Sequence, residues 1–238
     1  MTEPIVRLER SAPEQDVARN VSHIALQLGK VAMDFAQVKR IPRYYTGERE
    51  SDVEHSFMLG LVACELAHTL ELDLNAGLIS QYATVHDLIE LKTGDINTFN
   101  LSAEQLQQKQ FIEKQALHQL IEELPPYTAR LVERYEHQTD PEARFVKAVD
   151  KILPFIVDIH GEGVRIMQED NEVLTRQAFL ACLDSLHTSL SERFGREFPE
   201  IIDAHQVLGE LLSHQMPEQP EQDYLFVLRQ STDAHTSS

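Results

Sequence analysis

Two adjacent residues in the middle of the chain, His86 and Asp87, have side chains that could bind a metal ion. Glu90 follows them by one helical turn, and residues three and four apart lie on one face of a helix. Neighbouring residues are about 100° apart around the helix axis, so His86 and Asp87 could bind one ion from two sides. Glu90 would then face the group that the ion binds. One imidazole and one carboxylate are too few ligands for a metal site. The chain must therefore supply others from elsewhere.

A histidine–aspartate pair is weak evidence alone, because a chain with 11 histidines and 39 acidic residues produces such pairs by chance. The alternative is a half-exposed helix that carries solvated acids. Two further residues favour a metal site. His55 lies in the run S-D-V-E-H-S and Asp150 lies in F-V-K-A-V-D-K, each on another predicted helix. With the central pair, they are candidates to meet in space.

Both added residues lie in a local sequence that fixes their position. Ser51 and Glu54 form an S-x-x-E capping box, which places His55 about one turn inside a helix. Asp150 is flanked by apolar residues, and a buried unpaired carboxylate is costly, so a metal or an arginine is expected beside it. Pro154 predicts a bend next to this aspartate, because proline cannot donate to the carbonyl four residues earlier.

A basic stretch, V-K-R-I-P-R-Y-Y-T-G-E-R, interrupts the otherwise acidic sequence and contains Arg40 and Arg43. Pro42 disfavours helical geometry at the preceding residue, so the first helix is predicted to end near Arg40. Residues 41–50 are then predicted to form a polar loop with Tyr44 at its centre. Two functions are open for this loop. It is either a solvated connector or a phosphate clamp, since arginine forks match phosphate oxygens.

Helices are the elements that must position these groups. An apolar repeat from Val17 to Val38 predicts an amphipathic first helix packed on a core. Strand signals are nearly absent, so the fold class is all-α. Residues 13–215 are predicted to form one helical domain, with 216–238 as a tail. Further helices are predicted from Ser51, from about 76 to Gly94, from Ser102 to about Glu123, through 131–135, from Asp140, near 172–193, and from Pro199 to about His214.

Composition narrows the classes of partner. The 238-residue chain has a formal net charge of −18, which repels phosphate backbones, so neither DNA nor long RNA is an expected partner. Apolar runs are shorter than the roughly 20 residues that a membrane-spanning helix needs, and no signal-peptide pattern is present. We therefore expect a cytoplasmic protein without a membrane partner. Cys64 and Cys182 lie in apolar helical patterns and are interpreted as free thiols.

The order of the candidate ligands, H…HD…D, resembles the signature of the HD-domain superfamily of metal-dependent phosphohydrolases. The runs K-R-I-P-R, V-E-H-S, H-D-L-I-E-L-K-T-G-D-I and A-R-F-V-K-A-V-D-K are similar to a narrower group. That group comprises the HD-domain 5′-deoxynucleotidases and the HD-domain-containing protein 2 family. The resemblance covers about residues 20–160 and implies an HD-domain helical bundle, to which additional C-terminal helices at about 170–215 are joined.

By this resemblance, one divalent metal ion would be bound by His55, His86, Asp87 and Asp150. Two imidazoles and two carboxylates suit Co²⁺, Mn²⁺, Zn²⁺ or Fe²⁺, and Mg²⁺ is a further candidate. Such a cation activates water and offsets the charge that grows on phosphoryl oxygens. The expected reaction is hydrolysis of (deoxy)ribonucleoside 5′-monophosphates to nucleoside and phosphate. A homo-oligomer, most simply a homodimer, is expected by analogy.

The resemblance also implies roles at the substrate. Glu90 would orient or deprotonate the attacking water, and Asp95 would be a second acid near the sugar. Members of the group carry a tryptophan after the phosphate-binding arginine, where this chain has Ile41. The chain contains no tryptophan, and Tyr44 or Tyr45 is a candidate to take over the stacking role. The residues expected to contact the substrate are Arg40, Arg43, Tyr44 and Asp95.

Two other functions fit the same residues. The metal site could act on another small phosphoester, such as a cyclic nucleotide or a triphosphate. Alternatively, the chain could be a nucleotide-binding sensor that retains the ligands without turnover. Glu90 and Asp95 argue against the sensor, because a binding module has less need of an acid that activates water.

Overall fold

The structure is a computed structural model, and it describes residues 12–96, 99 and 103–219. Helices make up most of it, which confirms the predicted all-α fold class. Within these ranges, none of the helices is both long and apolar enough to span a bilayer. The elements in chain order are α1 (Ala12–Phe35), β1 (Lys39–Arg43), β2 (Arg49–Ser51), α2 (Asp52–Thr69), α3 (Ala76–Val85), α4 (Glu90–Thr93), α5 (Ala103–Glu123), α6 (Pro126–Glu136), α7 (Pro141–Asp150), α8 (Leu153–His160), α9 (Gly163–Glu169), α10 (Arg176–Phe194) and α11 (Pro199–Ser213).

The basic stretch is a β-hairpin, and the predicted polar loop over 41–50 is wrong. Helix α1 ends at Phe35, earlier than predicted, and β1 pairs with β2 in antiparallel register, with Lys39 opposite Ser51. A two-stranded sheet has only edge strands, so Pro42 is tolerated inside β1. Gly47 supplies the turn with a positive φ of 81°, a conformation that glycine adopts without steric cost.

The central helix is interrupted at His86 and Asp87, whereas the sequence predicted one continuous helix. Helix α3 ends at Val85, and residues 86–89 form turns before α4 begins at Glu90. Successive i→i+3 hydrogen bonds, such as Leu88 N to Val85 O and Glu90 N to Asp87 O, tighten the backbone here. Gly94 ends α4 with a φ of 68° and donates to the carbonyl of Glu90, as the sequence predicted for a helix C-terminus.

Two hydrophobic clusters hold the helices together. The larger cluster joins residues of α2, α3, α5, α6 and α7 to the start of α8 and to Phe194 and Ile201 in the C-terminal helices. The smaller cluster lies between α8, α9, α10 and α11 and includes Phe155, Phe179 and Leu212. Helix α9 falls in a region where the sequence predicted only a turn at 160–163.

The ends of the chain differ from expectation. Val17 and Val21 at the start of the apolar repeat of α1 are 64% and 61% exposed, and the repeat becomes buried only at Phe35. At the other end Met216, predicted as tail, is buried in the smaller cluster, and the carbonyl of Pro217 accepts from Arg176 N. The rest of the predicted tail, residues 220–238, and the helix cap predicted at Ser102 lie outside the described residues.

Candidate metal centre

Three chain segments carry the predicted ligands to one place. The capping box of α2 is present, with Glu54 N donating to Ser51 Oγ and Ser51 N donating to Glu54 Oε2 at 2.8 Å. His55 therefore follows a fixed helix start. His86 and Asp87 lie in the tight turn after α3, and Asp150 is the last residue of α7. A capped helix start, a turn and a helix end thus position the four side chains.

The four side chains form one buried cluster. One nitrogen or oxygen atom from each of His55, His86, Asp87 and Asp150 lies within 4.8 Å of the others. His55 Nε2 lies 3.0 Å from Asp150 Oδ1. His86 Nε2 lies 2.8 Å from Asp87 Oδ2 and 3.8 Å from Asp150 Oδ1. Two nitrogen and two oxygen donors therefore surround one small volume.

The donor atoms of this cluster fit a divalent cation. Nδ1 of His86 lies 2.9 Å from the carbonyl of Ala83, to which it donates, so its lone pair lies on Nε2. Nε2 is buried and has no well-aligned hydrogen-bond partner among the described residues. A buried nitrogen lone pair that faces two carboxylates is able to bind a metal ion, and this mixed donor set suits borderline transition metals.

The electrostatics keep both aspartates ionised. Although burial opposes ionisation, His86 and the guanidinium of Arg40 hold the pKa of Asp87 well below its usual range. Burial likewise opposes ionisation of Asp150, but Lys151 at 2.8 Å and His55 hold its pKa well below the usual range. Two anionic carboxylates are therefore available to bind a cation.

Arg40, predicted to bind the phosphate, lies at the edge of this cluster and is buried. Its Nη1 donates to Asp87 Oδ2 at 2.7 Å and to Asp52 Oδ1 at 3.4 Å. Its Nε lies 3.6 Å from Glu50 Oε2. Burial opposes the charged form, but Asp87 and Asp150 outweigh it and raise the pKa of Arg40. The guanidinium is thus a permanent cation beside the predicted metal ligands.

Sequence reasoning missed Asp52 and Glu50, both fully buried beside the centre. Asp52 forms a second acidic group with Asp87 and Glu90, in which one oxygen of each lies within 4.8 Å of the others. Glu50 Oε2 lies 3.4 Å from Nδ1 of His55. Only recognition of the hairpin could have found Glu50, because acids that precede a helix usually remain in solvent.

Glu90 and Asp95 lie close to the same group. Burial, followed by the charges of Asp87, Asp52 and Asp95, raises the pKa of Glu90 to about 11. Asp95 Oδ2 accepts from the backbone N of Ile41 at 3.1 Å, which ties the end of α4 to β1. Both predicted acids are therefore near the ligands, one half-buried and one anchored to the hairpin.

Arg43 and Tyr44 have contacts of a different kind. The guanidinium of Arg43 donates to Glu169 at 3.2 Å and to Asp170 at 2.8 Å, at the end of α9. Tyr44 is half-buried, and burial together with the charge of Glu50 raises its pKa to about 12. Their roles in substrate binding stay predictions.

Comparisons with known proteins agree with this geometry. A 5′-deoxynucleotidase HDDC2 from Xenopus laevis is 33% identical over 134 residues, which cover 52% of this chain and 65% of that protein. The chain thus spans just under two thirds of this relative. A 5′-deoxynucleotidase from Erwinia tasmaniensis is 28% identical over 169 residues, which cover 67% of this chain and 81% of that protein.

A solved structure and a family model extend the comparison. A predicted metal-dependent phosphohydrolase from Magnetospirillum magnetotacticum has a similar fold, with a TM-score of 0.57 and 23% identity. The similarity covers 84% of this chain and 97% of that one. A family model described as the HD domain matches residues 35–181, more than half of the chain and all of the predicted metal ligands. The chain therefore belongs to the HD domain family.

Proposed function

We propose that this chain is a metal-dependent phosphohydrolase that converts nucleoside 5′-monophosphates, deoxyribonucleotides first among them, to nucleoside and phosphate. The observation that carries the proposal is the convergence of four buried ligand side chains from three segments within 4.8 Å. A buried arginine directly beside them supports a substrate with a phosphate group. The names of the two sequence relatives support the nucleotide class.

The proposed metal ligands are His55, His86, Asp87 and Asp150. A divalent cation at these residues would supply a Lewis acid that activates water and offsets charge on the phosphoryl oxygens. The candidate cations are Co²⁺, Mn²⁺, Zn²⁺, Fe²⁺ and Mg²⁺. All four donors come from well-buried positions, so their geometry is fixed by the surrounding core.

Glu90 is the proposed general base. One of its oxygens, Oε2, is buried without a hydrogen-bond partner among the described residues, and the side chain lies in the acidic group with Asp87. Its pKa is raised by burial and by neighbouring negative charges. A bound cation opposes those charges and thereby favours the ionised carboxylate that can accept a proton from water.

Arg40 is the proposed phosphate-binding residue. A phosphate oxygen would replace one of its present carboxylate contacts, and the exchange is favoured once the charge of Asp87 is shared with a cation. Asp95 is proposed to position the hairpin that carries Arg40, through its bond to Ile41 N, and to contact the sugar. Arg43 and Tyr44 complete the proposed substrate residues, although Arg43 would first have to leave Asp170.

The test is phosphate release after loading with each candidate metal. The panel contains ribo- and deoxyribonucleoside monophosphates, cyclic nucleotides and triphosphates. We expect release from the monophosphates. Glu90→Gln is expected to keep its metal content and to lose about 100-fold or more in kcat, whereas Asp150→Asn is expected to lose metal and activity together. Glu65→Gln, which changes an exposed glutamate on α2, serves as the control.

Two results would contradict the proposal. Turnover restricted to another phosphoester would assign a different substrate class to the same centre. Tight binding of nucleotides without phosphate release, with any of the metals, would indicate a sensor. The expected homodimer and the cytoplasmic location also stay predictions, which sedimentation and cell fractionation would test.

A further inference from the structure

Glu50 in β2 is a buried acid for which the proposed chemistry has no direct use. Its side chain has 0% exposure, and neither carboxylate oxygen has a hydrogen-bond partner among the described residues. Burying a carboxylate without full pairing opposes folding. Two cationic or ionisable groups approach it, which are His55 at 3.4 Å and Arg40 at 3.6 Å.

The local fold places Glu50 behind both groups. Glu50 directly precedes Ser51, the N-cap of α2, and His55 lies in the first turns of that helix. Strand β2 pairs with β1, which carries Arg40. One carboxylate thus lies between the helix that supplies a predicted metal ligand and the strand that supplies the phosphate-binding arginine.

The two nitrogens of His55 face different partners. Nε2 lies 3.0 Å from Asp150 Oδ1, inside the ligand cluster, whereas Nδ1 lies 3.4 Å from Glu50 Oε2. A histidine that binds a metal through Nε2 must carry its proton on Nδ1, and an acceptor at Nδ1 fixes this tautomer and the ring orientation. Glu50 Oε2, 3.4 Å from Nδ1, is the carboxylate oxygen that faces this proton, and its charge favours the same tautomer.

We propose that Glu50 is a positioning residue that holds His55 in its Nε2-binding tautomer and anchors Arg40 beside the centre. The inference rests on the proposed metal site. The carboxylate increases the basicity of the imidazole and needs no contact with metal or substrate. Asp158 on α8 is a further buried acid, close enough to Glu50 for the charge of Glu50 to raise its pKa.

Metal affinity tests the proposal independently of activity. Binding of Co²⁺ to the chelator-treated protein is measured by calorimetry for the wild type, Glu50→Gln and Glu50→Asp. Glu50→Gln keeps the shape and removes the charge, so we expect affinity to fall about 10- to 100-fold. Glu50→Asp keeps the charge at a greater distance and is expected to fall between the two. Glu48→Gln, an exposed change in the same hairpin, is expected to bind as the wild type does.

Two further measurements separate positioning from a general structural role. Because Arg40 loses one of its three carboxylate contacts, KM for the nucleotide is expected to rise in Glu50→Gln even when the variant is assayed at saturating Co²⁺. In wild-type protein loaded with Zn²⁺, histidine ¹⁵N spectra are expected to show His55 bound through Nε2 with a proton on Nδ1. The spectra need no variant, so they test the proposal even where Glu50→Gln fails to fold.

The outcomes distinguish this inference from the proposed function. Co²⁺ affinity of Glu50→Gln within twofold of the wild type, or a His55 bound through Nδ1, overturns the role of Glu50. A wild type that binds Co²⁺ but hydrolyses no nucleotide overturns the proposed substrate class and leaves the affinity comparison valid. A wild type that binds none of the metals overturns both.

Discussion

The guanidinium of Arg40 compensates several buried carboxylates at once, so removing it has two consequences. Arg40→Gln would leave Asp87 and Asp52 without this cation, and breaking a buried pair in this way costs about 3–5 kcal/mol. It would also raise KM for a nucleoside monophosphate about 10- to 100-fold, because a charge-assisted bond to phosphate is lost. Urea unfolding and steady-state kinetics measure the two effects.

The control variant for Arg40→Gln changes another arginine of the same hairpin. Arg49→Gln removes an exposed guanidinium that pairs with Asp170 at 3.3 Å, and its effect on stability is expected to stay below about 1 kcal/mol. An unchanged KM in Arg40→Gln would show that the phosphate is bound elsewhere. Added Mn²⁺ should restore part of the stability that Arg40→Gln loses, since the cation offsets the negative charge that Arg40 compensates in the wild type.

The buried carboxyl of Asp158 is expected to make the stability of the protein depend on pH. Burial and the charge of Glu50 raise its pKa to about 7 in the folded protein, above the value of about 3.9 in an unfolded chain. Because the folded state holds the proton more tightly, this group lowers stability progressively as pH rises from about 4 to about 7, and the loss is constant above that. Asp158→Asn removes the loss, which reaches about 4 kcal/mol at most.

Urea unfolding of Asp158→Asn and wild type at pH 4.5 and pH 8 measures this effect. The stability of the variant relative to the wild type is expected to increase with pH over that range. Asp203→Asn, an exposed change on α11, corrects for the other titrating groups and is expected to show no such trend. A relative stability that is independent of pH would contradict the raised pKa.

Residue types and spacing were sufficient to predict that His55, His86, Asp87 and Asp150 meet in space, because the apolar surroundings of Asp150 and the capping box before His55 restrict where each can point. Asp52 and Glu50 were beyond sequence reasoning. Both stand at the start of a helix, where acids are ordinarily favoured by the helix dipole and remain solvated. Their burial depends on the formation of the hairpin, which contains Glu50 and directly precedes Asp52, and this is a tertiary feature.

At the scale of elements, the helices were predictable and their interruptions were not. Apolar periodicity and caps such as Ser51 and Asp140 located α2 and α7. The helix break after Val85 could not be predicted, because no proline or glycine lies there and the next glycine is Gly94. The hairpin strands are five and three residues long and are mostly charged, so they lack the alternation that identifies a strand.

The contact between the hairpin and α8 depends on one glycine. A Cβ on Gly161 would overlap the carbonyl oxygen of Arg43, and Glu162 N donates to that same oxygen at 3.2 Å. Gly161→Ala should therefore displace β1 and with it Arg40. We expect a loss of about 1–3 kcal/mol in unfolding free energy and a raised KM for the nucleotide.

The control variant for Gly161→Ala is Gly29→Ala on helix α1, because a Cβ added at Gly29 would meet nothing within 4 Å. Alanine is favoured over glycine inside a helix by about 0.5–1 kcal/mol, so this variant is expected to be slightly more stable than wild type, with KM unchanged. Equal stability of the two variants in urea would show that the hairpin does not rest on the end of α8.

At the scale of the whole molecule, the C-terminal helices are joined to the family domain by packing. Helices α10 and α11 contribute Phe194 and Ile201 to the larger cluster, and Phe179 and Leu212 to the smaller one. The sequence predicted these helices from their periodicity. Their packing partners could not be predicted, because apolar residues on a helix face do not specify which neighbour covers them.

The proposed cation would connect α2, the turn after α3, and α7, so it should stabilise the whole fold. A ligand at about 100 times its Kd adds about 2.7 kcal/mol to the free energy of unfolding, which for a chain of this size raises Tm by roughly 5–10 °C. Thermal unfolding of wild type with and without Mn²⁺ should show this rise, and excess EDTA should reverse it.

A chain with a net charge of −18 can also attract divalent cations to its surface. Stabilisation by a cation bound at the cluster therefore has to be distinguished from stabilisation by cations that screen the surface charge. Asp150→Asn removes a buried carboxylate of the proposed metal site, whereas Asp203→Asn removes an exposed charge far along the chain on α11. The Mn²⁺-dependent rise in Tm should vanish in the first variant and persist in the second. An equal rise in both would place the stabilising cations outside the cluster, because only a cation bound by Asp150 itself depends on that carboxylate.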